Sequence, residues 1–152
     1  MKDLTSFISR LTILPRWVII ALDFICLGLA AFLGYCLRFN FDFVEMGRYH
    51  PVTGILLMSL GGTVASLVTK NYAGIVRFTG IDDAIKIFLT SLLNLSFIAV
   101  VNLSYYYNVS RNLVPYSVVI IFLFTSVFML LFYRLMVKNI YSFYRTEINK
   151  KI

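Results

Sequence analysis

Few side chains in these 152 residues stand where they could do chemistry, and Asp23 is the one carboxylate placed inside a long apolar run. It lies six residues past Trp17, about 9 Å into the run at ~1.5 Å rise per residue. A carboxylate in hydrocarbon costs about 2.5–3.5 kcal/mol on insertion scales, so Asp23 is expected to face other helices and find a partner there. Lys86 and Arg134, each near the same end of its own run, are the candidates by depth. Such a pair fixes packing; the competing use of a buried acid is a proton or substrate site.

The second chemical cluster interrupts the apolar pattern between residues 72 and 83. Tyr72, Gly74, Arg77, Phe78 and Gly80 lead into the paired carboxylates Asp82 and Asp83. Acidic residues suit the first turn of a helix, where unpaired N–H groups and the macrodipole favour negative charge, so a helix is expected to begin here. The segment reads as a membrane-surface element that feeds a new span, and Tyr72, Gly74, Arg77, Phe78 and Asp82, with Asp23, Lys86 and Arg134, are the structural or docking candidates.

The remaining reactive types assemble nothing. His50 is the only histidine and has no second ligand at metal spacing, so it is expected to be a loop residue. Cys26 and Cys36 lie ten residues apart on one expected helix and cannot reach each other. No G-x-G-x-x-G follows a strand pattern and no Tyr-x-x-x-Lys occurs, so no catalytic, cofactor-binding or metal-binding residue is assigned.

The elements that position these groups follow from composition. With 60% hydrophobic and 14% charged residues and a mean hydropathy of +0.85, the chain belongs with membrane proteins rather than soluble domains. Four runs of about 20 residues each match the ~30 Å hydrocarbon core, with spans expected near 17–37, 51–69, 84–107 and 114–137. The fold class is an all-α, four-transmembrane-helix bundle with amphipathic interfacial ends.

Residues 1–16 place Leu4, Phe7, Ile8, Leu11 and Leu14 at helical spacing, an amphipathic interfacial helix broken from the first span at Pro15. Residues 138–152 read as an amphipathic extension or linker, with Arg134, Lys138, Tyr141 and Arg145 on one stripe. Eleven basic residues fall on the side that carries both ends and three on the other, which predicts cytoplasmic N- and C-termini. The net charge of +7 is then explained by the anionic inner leaflet, with no need of nucleic acid.

Within the bundle, Ala30-x-x-x-Gly34, Gly61-x-x-x-Ala65 and Gly62-x-x-x-Ser66 predict a tight antiparallel hairpin of the first two spans. Asn94 should point at a neighbouring helix, because an unsatisfied amide in hydrocarbon is costly. Phe39, Phe41 and Phe43 alternate with polar residues and read as an interfacial segment. Tyr105, Tyr106 and Tyr107 mark an aromatic belt, and Pro115 opens the fourth span.

The ordered series Leu14-Pro-Arg-Trp-Val18, Leu22-Asp23, Tyr35-Cys-Leu-Arg-Phe39, Tyr72-Ala-Gly-Ile-Val-Arg-Phe78, Val114-Pro-Tyr-Ser-Val118 and Leu131-Phe-Tyr-Arg134 resembles the amino-terminal membrane region of bacterial polysaccharide-biosynthesis nucleotide-sugar 4,6-dehydratases and epimerases. The resemblance runs from about Pro15 to Arg145, and Tyr-x-Gly-x-x-Arg-Phe is its most specific part. It implies a scaffold at the bacterial inner membrane that holds a cytoplasmic NAD-dependent domain acting on a UDP-N-acetylhexosamine. The NAD site would belong to that domain, which would follow about where this sequence ends. Partners implied are the lipid bilayer, the catalytic domain or a partner subunit, and possible further copies of the chain in a homo-oligomer. Two alternatives stand beside it: the similar four-span region of priming sugar-phosphate transferases, and a small four-span carrier or exporter using Asp23.

Overall fold

The computed structural model describes residues 16–70 and 81–150. The described residues form five helices and no strand: α1 (Arg16–Arg38), α2 (Phe43–Gly47), α3 (Pro51–Val68), α4 (Ile81–Val109) and α5 (Tyr116–Lys150). All but the short α2 are long and apolar enough to cross a membrane, over Trp17–Arg38, Pro51–Val68, Ile81–Val109 and Tyr116–Asn139. The chain is thus an all-helical, multi-pass membrane protein by helix length and composition. Residues 1–15 and 71–80 lie outside the described residues, and with them the expected amphipathic helix and Tyr72, Gly74, Arg77 and Phe78.

Local chemistry sets the helix ends. Asn40 and Phe41 adopt left-handed backbone, turning the chain out of α1. The Asp42 carboxylate then accepts from the N–H groups of Val44 at 2.9 Å and Glu45 at 3.2 Å, capping α2. Pro51 occupies the first turn of α3, where its missing N–H is harmless, and His50 precedes it in left-handed backbone. Asp82 and Asp83 fall in the first turn of α4, as their charge predicts. Pro115 stands just ahead of α5 and its carbonyl accepts from Val118 N at 2.9 Å. Beyond the expected boundary near residue 137, α5 continues unbroken to Lys150, so the extension is part of the fourth span's own helix.

The four long helices close a ring in which α1 packs on α3 and α5, and α4 packs on the same two. Sequence neighbours run antiparallel, so α1 starts, α3 ends and α4 starts at the same end of the bundle where α5 carries Arg134. On α5, Val118, Phe122, Ser126, Leu130 and Arg134 recur every fourth residue and are buried, while Ile120, Phe124, Phe128, Phe132 and Met136 form an exposed stripe. The outside is as apolar as the inside. Hydrophobicity therefore distinguishes neither face, and close packing with interhelical hydrogen bonds must hold the ring together.

The small residues serve more seams than the expected hairpin. A Cβ on Gly62 would meet Leu27 Cδ1 at 2.6 Å and Asn94 Nδ2 at 3.0 Å, so α1 and α4 both approach α3 there. A Cβ on Gly61 would meet Asn94 Oδ1 at 2.6 Å, which places this glycine at the α3–α4 contact. Gly34 instead faces Val118 and Phe122 of α5, and Ala30 O lies 3.3 Å from Thr125 Oγ1. The Ala30–Gly34 pair thus builds the α1–α5 seam, a correction to its expected place between the first two spans. The pattern reports that backbones come close without saying whose.

Side-chain amides and hydroxyls supply the polar contacts. Asn94 donates to Met58 O at 3.0 Å, tying α4 to α3 as its burial cost predicted. Thr69 and Thr90 hydroxyls meet at 2.8 Å between the same helices. Asn102 both donates to Val114 O at 2.6 Å and accepts from Val114 N at 2.9 Å, clasping the loop before α5. At that end of the bundle Phe41 and Phe43 are exposed, but Phe39 is half-buried between Tyr35 and Tyr49, with ring centroids 6.3 and 5.1 Å away. One of the three expected interfacial rings therefore turns into the protein.

Candidate functional site

The charged centre of the bundle is built by the inward faces of α1 and α5. On α1 that face carries Ile19, Asp23, Leu27 and Ala30, so helical period alone brings Asp23 inside. On α5 the fourfold spacing that buries Phe122, Ser126 and Leu130 brings Arg134 inside one turn later. Antiparallel packing sets the two side by side. Arg134 Nη2 stands 3.4 Å from Asp23 Oδ2, with the Asp23 side chain 2% and the Arg134 side chain 3% exposed.

Tyr133 completes the arrangement. Its hydroxyl donates to Asp23 Oδ1, so each carboxylate oxygen has its own donor. The Arg134 guanidinium also lies 5.9 Å from the Tyr133 ring centroid, within cation–π range. Ser66 of α3 faces the same carboxylate, although its hydroxyl stands outside hydrogen-bonding geometry. Three helices thus converge on Asp23, all at the end of the bundle where α1 begins.

Of the two cations expected by depth, the structure chooses Arg134. Lys86 is exposed on α4, a helix that lies across the ring from α1, and its carbonyl accepts from Thr90 Oγ1 at 2.7 Å. Asp82 is exposed and Asp83 buried in the first turn of α4. Tyr133 and Ser66 were missed by sequence reasoning. For Tyr133 the available signal was its place beside Arg134 near the end of the fourth span.

The chemistry of this centre is that of a fastener. Taking both charges from water is expensive, and their mutual attraction with the tyrosine hydrogen bond offsets that cost only in this geometry. Both oxygens of Asp23 are engaged, and among the described residues no nucleophile–base pair accompanies them. Among the described residues no three His, Cys, Asp or Glu side chains come together to hold a metal ion. Those residues also contain no strand, so they offer no strand-to-helix turn to seat the pyrophosphate of NAD. No protein-family model, curated protein or solved structure matches this chain.

Proposed function

We propose that this chain is the membrane anchor and scaffold of a polysaccharide-biosynthesis nucleotide-sugar dehydratase or epimerase, holding a cytoplasmic NAD-dependent domain against the bacterial inner membrane. The observation that carries the reading is α5, which runs without a break from the ring to Lys150. Eleven residues past Asn139, the end of the candidate span, extend about 16 Å at ~1.5 Å each. A continuous helix transmits position and orientation, as a flexible linker would not. The Asp23–Arg134 pair fastens that helix to α1 at the end of the bundle from which the extension leaves.

The resemblance through Tyr72–Phe78 and Leu131–Arg134 supplies the kind of enzyme, a UDP-N-acetylhexosamine 4,6-dehydratase or epimerase. The function is positional: holding the domain at the membrane raises its effective concentration beside lipid-linked intermediates. The carrier reading loses support from the engaged state of both Asp23 oxygens. In cells, crosslinked membranes purified through this chain are expected to yield a nucleotide-sugar dehydratase domain, attached or as a separate subunit, with both chain ends accessible from the cytoplasm. Recovery of no such domain, or proton-coupled export abolished by Asp23→Asn, refutes the scaffold.

A further inference from the structure

Tyr133 and Arg134 are consecutive on α5, so their side chains leave the helix about 100° apart, yet both end on one carboxylate of α1. The Tyr133 hydroxyl donates to Asp23 Oδ1, and Arg134 Nη2 stands 3.4 Å from Oδ2. A single contact lets a helix roll about its own axis; two contacts reaching one group from different sides of the helix do not. At a side-chain radius of about 5–6 Å, a roll of about 40° carries each tip about 4 Å, far enough to break both bonds.

Hydrophobicity does not oppose such a roll. In this half of α5 Leu130 faces inward while Phe128, Phe132, Leu135 and Met136 face outward, so rolling exchanges one apolar side chain for another. A second polar contact between the two helices, Thr125 Oγ1 to Ala30 O at 3.3 Å, lies about two turns nearer the other end of the bundle. Asn139, where the candidate span ends, follows Arg134 by five residues, and α5 then continues unbroken to Lys150. A continuous helix carries the roll of its root to its tip. We propose that Asp23, Tyr133 and Arg134 are positioning residues that set the rotation of the α5 extension, and with it the orientation in which a partner domain is presented. Arg134 fastens the helix to Asp23, and Tyr133 is the second pin that turns a fastening into an orientation. The consequence for a partner domain rests on the scaffold reading; the rotation itself is a property of this chain and is measured on it alone.

The test is a spin–spin distance measured by pulsed electron paramagnetic resonance on the full chain in lipid nanodiscs, diluted with unlabelled chain. One label is placed through Lys86→Cys, at an exposed position of α4, and one through Thr146→Cys on the extension, with Cys26 and Cys36 replaced by alanine. The native pair of positions is expected to give one narrow distance. Asp23→Leu with Arg134→Met exchanges the ion pair for an apolar contact, so the bundle is expected to keep its helix content while the distance shifts or broadens by about 4 Å or more, the travel of a 40° roll. Tyr133→Phe removes only a hydroxyl and leaves the ion pair in place, so it is expected to fold and to broaden the distance by a smaller amount; it carries the test should the double variant fail to fold. A folded double variant with the native distribution overturns the assignment, since packing alone then sets the rotation. So does Tyr133→Phe with the native distribution, since the tyrosine is then no second pin. Either result leaves the anchor reading standing, because recovery of a catalytic domain does not enter the measurement.

Discussion

Replacing Arg134 by methionine tests the reasoning about the buried pair most directly. The substitution keeps a long side chain but leaves the Asp23 carboxylate buried, with the Tyr133 hydroxyl still donating to it. At the observed 3.4 Å, two unit charges attract by roughly 5 kcal/mol at an effective dielectric of about 20. Breaking a buried pair by removing one partner costs about 3–5 kcal/mol, because the other charge is stranded. Unfolding Arg134→Met in mixed micelles of mild detergent and dodecyl sulfate is therefore expected to show a loss in that range. Asp23→Leu combined with Arg134→Met removes both charges and is expected to recover most of it, since paired apolar replacement of a buried ion pair is often neutral or stabilising. A single-variant loss below about 1 kcal/mol, which is the scale of an ordinary interhelical contact in a membrane, would refute the argument. So would a double variant whose loss equals the sum of the two single ones, because additivity means that the charges do not interact.

Three further perturbations follow from the packing. Gly62→Leu drives side-chain atoms into Leu27 and Asn94, where even a Cβ stands 2.6 and 3.0 Å away, and overpacking of this kind costs about 1–3 kcal/mol; an unchanged melting temperature in detergent would contradict it. Gly54→Ala drives a Cβ into the Tyr35 hydroxyl oxygen, so it should destabilise the α1–α3 contact. Tyr35→Phe, which also removes a buried hydroxyl with no hydrogen-bond partner among the described residues, should be neutral or stabilising by itself and partly rescue Gly54→Ala in the same melting assay. Asn102→Leu removes both bonds to Val114 and leaves that residue's N–H and C=O unpaired, a loss of about 1–3 kcal/mol per buried group at most. Amide exchange at Val114 is the readout, and unchanged protection would show that the clasp is dispensable.

Much of the architecture was legible from local pattern. The length of each apolar run located the four helices long and apolar enough to span, to within a few residues of their candidate bounds, because hydrocarbon thickness and helical rise leave little freedom. Paired Asp82 and Asp83 marked the start of α4 through the helix dipole, although Asp83 also proved to be buried. Asn94 and Asp23 had to point inward, since lipid offers neither a hydrogen bond nor a counter-charge. Depth narrowed the counter-charge of Asp23 to Lys86 or Arg134, and there local reasoning ended.

What remained was decided by which helix stands beside which. Since α5 neighbours α1 and α4 lies across the ring, Arg134 reaches Asp23 and Lys86 faces outward. The same order sends Gly34 against α5 instead of α3, and Gly61 against Asn94. A helical sequence states how deep a side chain lies and which face carries it, because rise and period are properties of one chain segment. Around a ring whose outer faces are as apolar as its inner ones, the choice of neighbour depends on how whole surfaces interlock, and that is a property of the assembled bundle alone.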